Sequence, residues 1–140
     1  MTYLQRTVRA KYGNKSQHYN GRTYHSKFEA QHAEALDLQR KADNPRERVV
    51  EVEPQFKVSI DIEGADGKTR HITNYYVDFR VTFADGHVEL HEVKGYETEV
   101  WRLKALLLEA VYLPQNPDTE YVVVKQKYDS GWAKRRSTKR

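Results

Sequence analysis

Hydrophobic and polar positions change their period several times along the chain, and each change marks an element. Between Ser26 and Ala42, apolar Phe28, Ala35, Leu36 and Leu38, with small Ala30, Ala33 and Ala42 among them, recur at helical spacing until Asp43-Asn44-Pro45 stops the run. Its start, Ser26-Lys27-Phe28-Glu29, is a capping box, in which the Ser26 hydroxyl accepts from the third backbone N–H and Glu29 reaches back to the Ser26 N–H. From Val49 the pattern turns to short β-rich runs, Val49 to Val52, Phe56 to Ile62, Ile72 to Phe83 and His87 to Val93, with turn signals at Gly64-Ala65-Asp66-Gly67 and Asp85-Gly86. These predict an antiparallel meander of three or four strands. Thr98 opens a second helix through Val100, Trp101, Leu103, Leu106, Leu107, Leu108, Ala110, Val111 and Leu113, which Pro114 and Pro117 end. Its wide apolar face predicts the main helix packed on the sheet. Tyr121 to Val124 is a continuous apolar run, as expected of a strand buried on both faces. The predicted order is helix, meander, helix, strand, an α/β fold of the α+β kind.

A chain of 140 residues suits one buried core rather than two, so residues 1–140 read as a single domain. Ten tyrosines, four phenylalanines and two tryptophans supply enough apolar area for that core, which argues against wholesale disorder. No apolar run approaches the roughly 18 residues of a membrane span. The N-terminus lacks the apolar centre of a signal peptide, and the absence of cysteine excludes disulfides and thiolate metal sites. A cytoplasmic setting is the expectation.

The net charge of +4 is unevenly spread. Residues 1 to 28 carry Arg6, Arg9, Lys11, Lys15, Arg22 and Lys27 and no acid, and residues 130 to 140 carry Lys134, Arg135, Arg136, Lys139 and Arg140 and no acid. The middle has 13 basic and 20 acidic residues. The chain therefore reads as a mildly acidic core, residues 26–128, between a basic, extended N-terminal arm, residues 1–25, and a basic tail, residues 129–140. Two cationic arms point to a polyanion, or serve solubility alone.

Residues 75–96, YYVDFRVTFADGHVELHEVKGY, hold the candidate chemistry. Glu92 and Lys94 are two apart on a strand and leave the same face, in a row with apolar Val88 and Leu90. A core-facing row that ends in a carboxylate and an ammonium is costly without a role. Phosphodiester cleavage needs carboxylates around a hard divalent cation, and Asp78 and Glu92 are suited to that task. A neighbouring lysine can steady developing negative charge or orient and deprotonate the attacking water, which fits Lys94.

This stretch resembles the PD-(D/E)XK nuclease superfamily, and within it the chain is most similar to small phage-encoded endonucleases of the Holliday-junction-resolvase type. The resemblance covers roughly residues 10 to 113: a basic arm, a helix start reading SKFEA, a strand reading YVDF, and EVKG followed by a helix. It implies a restriction-endonuclease-like core, with Asp78, Glu92 and Glu29 binding Mg²⁺ or Mn²⁺ and Lys94 as the catalytic lysine. It further implies a DNA endonuclease in the bacterial host cell, active in DNA recombination, leaving 5′-phosphate and 3′-hydroxyl ends. The family's proline before the aspartate is replaced by Val77.

DNA, duplex or branched, is then the expected partner, held through phosphates by Arg6, Arg9, Lys11, Lys15, Lys27, Lys134, Arg135 and Arg136. Lys104 either joins them or snorkels from the second helix. Cutting two strands calls for two active sites, hence a homodimer. No small-molecule cofactor is expected, and the six histidines show no zinc-ligand spacing. The alternative is a non-catalytic nucleic-acid-binding protein that retains the nuclease fold. Register poses the sharpest demand on the site. A two-residue Asp85-Gly86 hairpin pairs Ala84 with His87 and sends Asp78 to the face opposite Glu92. Convergence requires a β-bulge, a three-residue turn with Gly86 left-handed, or a sharp bend at the strand's end.

Overall fold

The computed structural model describes residues 17–19, 22–24 and 26–125. Within the stretch expected to be an extended arm, strands β1 (Gln17–Tyr19) and β2 (Arg22–Tyr24) pair as a short antiparallel hairpin. A few rungs of backbone hydrogen bonding are available to a polar segment that lacks any apolar period.

The first helix, α1 (Lys27–Leu38), starts at the Ser26 cap, whose hydroxyl accepts the Glu29 N–H at 3.1 Å, while the Glu29 carboxylate accepts from Gln55. It tightens into a 3₁₀ turn at Gln39–Lys41 ahead of Asn44-Pro45. Its inner face is Glu29, Ala30, Ala33 and Leu36. Leu38 and Ala35, which the helical spacing placed on the apolar face, point to solvent. The small alanines let the helix backbone approach Val49, Phe79, Val81 and Phe83 of the sheet closely.

The fold is α+β, two helices on a four-stranded mixed sheet ordered β3-β4-β5-β6. Strands β3 (Val49–Glu63), β4 (Thr69–Phe83) and β5 (Val88–Lys94) form the antiparallel meander. The two runs either side of Glu53-Pro54-Gln55 prove to be one long strand, with left-handed Gln55 at φ 54° near its middle and register shifts against β4 at Val49/Glu51 and Ile60/Asp61. Helix α2 (Glu99–Leu107) begins at Thr98, whose hydroxyl accepts the Trp101 N–H at 3.1 Å. It widens into a π-helical turn at Leu108–Tyr112 and closes with a 3₁₀ turn at Leu113–Gln115, as the prolines require. The chain then returns as β6 (Thr119–Lys125), parallel to β5. Among the described residues β6 is an edge strand, and Tyr121 to Val124 are half-buried rather than enclosed on both faces. Its apolar run reflects parallel pairing with β5, the one strand it pairs with among the described residues.

Two apolar clusters hold the sheet, one against each helix. Phe79, Val81 and Phe83 pack under α1, whereas Tyr75, Val77 and Leu90 pack with Leu108 beyond the end of α2. Val77 and Phe79 share a parity and yet belong to different clusters, so β4 turns over at Asp78. Opposite it, Pro54 pairs with Phe79 and Phe56 with Val77, leaving Gln55 across from the same point. The two long strands bend together there.

Between β4 and β5 the turn spans Ala84, Asp85 and Gly86, with Phe83 accepting the Gly86 N–H at 2.9 Å and Gly86 at φ 96°. This three-residue turn replaces the two-residue hairpin and its Ala84–His87 pairing. A side chain at this φ is strained. Gly86→Val is therefore expected to cost about 1–2 kcal/mol. Thermal unfolding followed by circular dichroism should show the midpoint falling by roughly 3–8 °C.

Candidate metal and catalytic site

The three-residue turn sets the register from which the site follows. Phe83 donates to the His87 carbonyl at 3.0 Å, and the ladder runs Thr82 with Val88, Val81 with Glu89, Arg80 with Leu90 and Phe79 with His91. One step further places Asp78 across from Glu92, on the same side. Alternation of hydrogen-bonded pairs would have the Val93 N–H donate to the Val77 carbonyl. It donates instead to Asp78 Oδ2 at 2.7 Å. The Asp78 side chain thus takes over a ladder bond as β4 turns over. Val77, Asp78 and Phe79 are buried in succession as a result.

Glu29, Asp78 and Glu92 come from α1, β4 and β5, and all three are buried. Burial pushes the Asp78 carboxyl well above the ordinary carboxylate range, and the charges of Glu92 and then Glu29 push it further. Asp78 and Glu92 also share a side-chain hydrogen bond, which requires one of the two to carry a proton. Glu92 Oε2 accepts from the Tyr75 hydroxyl and from Trp101 Nε1 at 3.0 Å. With its proton committed to Glu92, the Tyr75 hydroxyl accepts from Tyr121 at 2.7 Å. Burial, then the Glu92 charge, raises Tyr75 far above its ordinary value, so it remains a donor throughout the physiological range. Glu29 Oε1 accepts from Gln55 Nε2 at 3.4 Å. Lys94 Nζ lies 5.2 Å from the centroid of the Trp101 ring, a cation–π contact at the mouth of the cluster.

All four predicted catalytic positions therefore fall in one region, with Lys94 two residues beyond Glu92 on β5. Of the predicted DNA contacts, Lys27 is exposed at the start of α1. Lys104 is half-buried and donates to the Asn74 carbonyl at 3.4 Å, which accounts for it within the fold. Arg6, Arg9, Lys11, Lys15, Lys134, Arg135 and Arg136 lie outside the described residues.

Several contributors escaped the sequence pattern. Gln55 braces Glu29, and its Oε1 is buried with no hydrogen-bond partner among the described residues. The signal was Pro54-Gln55 breaking a β run. Tyr75 and Trp101 read as core aromatics until their polar ends met Glu92. On the α1 side of β5 a chain of hydrogen bonds joins His32 to His91 at 2.8 Å and His91 to Glu89 at 2.7 Å. Glu89 can only accept, so His91 donates through Nε2, and its Nδ1 accepts from His32 Nε2. Sequence separation hid this pair.

Burial, aided by His91, lowers the His32 pKa to about 4. A folded value below the unfolded one means that folding opposes protonation. The stability that His32 contributes is complete above about 6.5 and is lost as pH falls toward about 4. Urea midpoints measured across that window should fall more steeply for the wild type than for His32→Gln.

The donor set suits a hard divalent cation. It consists of three carboxylates and a nearby unpartnered amide oxygen, with no sulfur ligand. Among the described residues, no three such side chains stand in ligating geometry as they are, and the shared Asp78–Glu92 hydrogen bond takes up the repulsion instead. Also among them, no helix is long and apolar enough to cross a membrane. No curated protein and no solved structure matches the chain. A family of proteins of unknown function, DUF1064, matches over residues 9–130, nearly the whole chain including the sheet, both helices and every residue of the cluster, and the protein belongs to that family.

Proposed function

We propose that the protein is a metal-dependent DNA endonuclease that hydrolyses phosphodiester bonds on a restriction-endonuclease-like core, with branched DNA such as a four-way junction as its preferred substrate. The observation that carries this reading is the meeting of Glu29, Asp78 and Glu92, drawn from three elements and buried together where β4 turns over, with Lys94 two residues beyond. The element order supports it: a helix, a three-stranded antiparallel meander, a second helix and a parallel fourth strand agree with the PD-(D/E)XK arrangement that the SKFEA, YVDF and EVKG segments resemble.

Asp78, Glu92 and Glu29 would hold Mg²⁺, or Mn²⁺ in its place. When bound, such an ion supplies positive charge to the scissile phosphate and lowers the pKa of water. Tyr75 and Trp101 fix the rotamer of Glu92, and Gln55 that of Glu29, so the carboxylates are aimed before substrate arrives. Lys94, flexible and charged, orients water or steadies negative charge on the phosphate. The basic arms grip the backbone on either side, giving affinity with little sequence preference and a steep salt dependence. A phage-encoded protein acting in the cytoplasm of its bacterial host, in DNA recombination, fits this chemistry.

The test is cleavage of supercoiled plasmid and of a synthetic four-way junction with Mg²⁺, with Mn²⁺ and with EDTA. Cutting of both that stops in EDTA, faster on the junction, is the expected result. DNA binding without cutting in either metal would overturn the enzyme reading in favour of a nucleic-acid-binding protein built on the same fold.

A further inference from the structure

The apolar face of α2 is wider than the sheet it covers. Ala105 and Leu108 are buried and Trp101 is half-buried against the sheet, where Leu108 joins Tyr75, Val77 and Leu90. On the far side, Val100, Leu103 and Leu106 are 64%, 59% and 63% exposed. They follow one another at three-residue spacing, so with about 3.6 residues per turn they form a continuous stripe along the outside of the helix. Apolar stripes of this kind on a charged surface mark contacts with another macromolecule.

The charges beside the stripe identify which one. Arg102, which reaches the Glu97 that Lys125 of β6 also holds, and Glu109, in the π-helical turn, whose charge acts on Tyr121 of β6, both lie on the flank of the stripe toward β6. A two-fold axis perpendicular to α2 brings this flank of one copy against the same flank of the other, running in the opposite direction. Leu103 then meets Leu106 of the second copy, and Arg102 meets its Glu109. The relation is reciprocal, as an isologous interface demands. Arg102 now reaches Glu97 only at 3.5 Å, and Lys125 holds the same Glu97 at 3.1 Å, so Arg102 can leave without stranding that carboxylate. Opposed helix dipoles favour the same antiparallel arrangement.

We propose that a second copy of this chain docks on the outer face of α2, forming an antiparallel helix pair centred on Leu103 and Leu106 and clasped by two Arg102–Glu109 ion pairs. A stripe of three apolar side chains, doubled, sits at the low end of specific interfaces, so the dimer is expected to be a weak, concentration-dependent one. The proposal rests on surface chemistry and stands whether or not the protein cuts DNA.

Sedimentation equilibrium over a concentration series reads the dimer constant directly. The wild type dimerises, and Leu103→Asp, Arg102→Glu and Glu109→Arg each weaken the dimer by about tenfold or more. The double variant Arg102→Glu with Glu109→Arg returns to within about threefold of wild type. All three positions are exposed in the single chain, so each variant keeps the wild-type circular dichroism and melting behaviour. A wild type that stays monomeric at high concentration, or a dimer that survives Leu103→Asp, overturns the interface. Failure of the charge-swapped double to recover overturns the antiparallel pairing.

Discussion

Replacing Lys94 with alanine is expected to slow strand cleavage by about 10²–10⁴-fold while leaving DNA affinity within about threefold of wild type. The asymmetry follows from where Lys94 sits. It closes a row on β5 that runs Val88, Leu90, Glu92, Lys94, so the strand aims its amine at the side where Asp78 and Glu92 meet. Its structural contact is the Trp101 ring at 5.2 Å, an interaction of about 0.5–1 kcal/mol at a half-exposed site. Loss of that contact leaves the core intact, because Trp101 stays tied to Glu92 and Tyr75 through Nε1. In the proposed reading the phosphate grip would belong to the many cations of the arms, so one lysine fewer should alter it little. Lys94→Arg separates the two roles open to this residue. A guanidinium keeps the charge and cannot release a proton, so recovery of less than about tenfold would assign Lys94 to water activation, and fuller recovery to charge stabilisation. Single-turnover cleavage beside a filter-binding titration measures both quantities. Cutting by Lys94→Ala at the wild-type rate would remove Lys94 from the reaction.

What the sequence disclosed was what local chemistry decides. The Ser26 cap, the Asn44-Pro45 stop, the Asp85-Gly86 turn and the Thr98 start each act within a few residues, and all stand where the pattern put them. The demand for a departure from the two-residue register was also legible, since Asp78 and Glu92 could not otherwise share a face, and the left-handed Gly86 is the device that meets it. Which device would act was not legible, because a hairpin of two residues and one of three have the same Asp-Gly signature. Partners distant in sequence were equally hidden. Gln55 reaches Glu29 across 26 positions, and His32 reaches His91 across 59. No local period carries such pairings. The breadth of α2 was visible, but not that its far half faces outward, since a sequence gives the width of an apolar face and not the width of what covers it.

Asp78→Asn is expected to end cleavage, with a loss of at least about 10³-fold, and at the same time to stabilise the metal-free protein at neutral pH. The two effects have one origin. Burial and the charges of Glu92 and Glu29 raise the folded-state pKa of Asp78 above its unfolded value, so folding takes up a proton wherever the pH lies between the two. The stability present below the ordinary carboxylate range is lost as pH rises through the raised folded value. Asparagine is neutral at every pH and can still accept the Val93 N–H through Oδ1. It should therefore gain about 1–3 kcal/mol over wild type at pH 7–8, a gain that shrinks toward pH 4. Added Mg²⁺ should reverse the order. A metal held as proposed would compete with the proton for the same carboxylates, so Mg²⁺ should raise the wild-type melting temperature, and more at pH 8 than at pH 5.5. Asp78→Asn, with one charged ligand fewer, should show little or no such shift. Differential scanning calorimetry of both proteins at two pH values, with and without Mg²⁺, reads all of this without relying on cleavage. Destabilisation by Asp78→Asn at every pH, with an unchanged Mg²⁺ shift, would make Asp78 a ladder-capping residue, holding Val93 in place and nothing more.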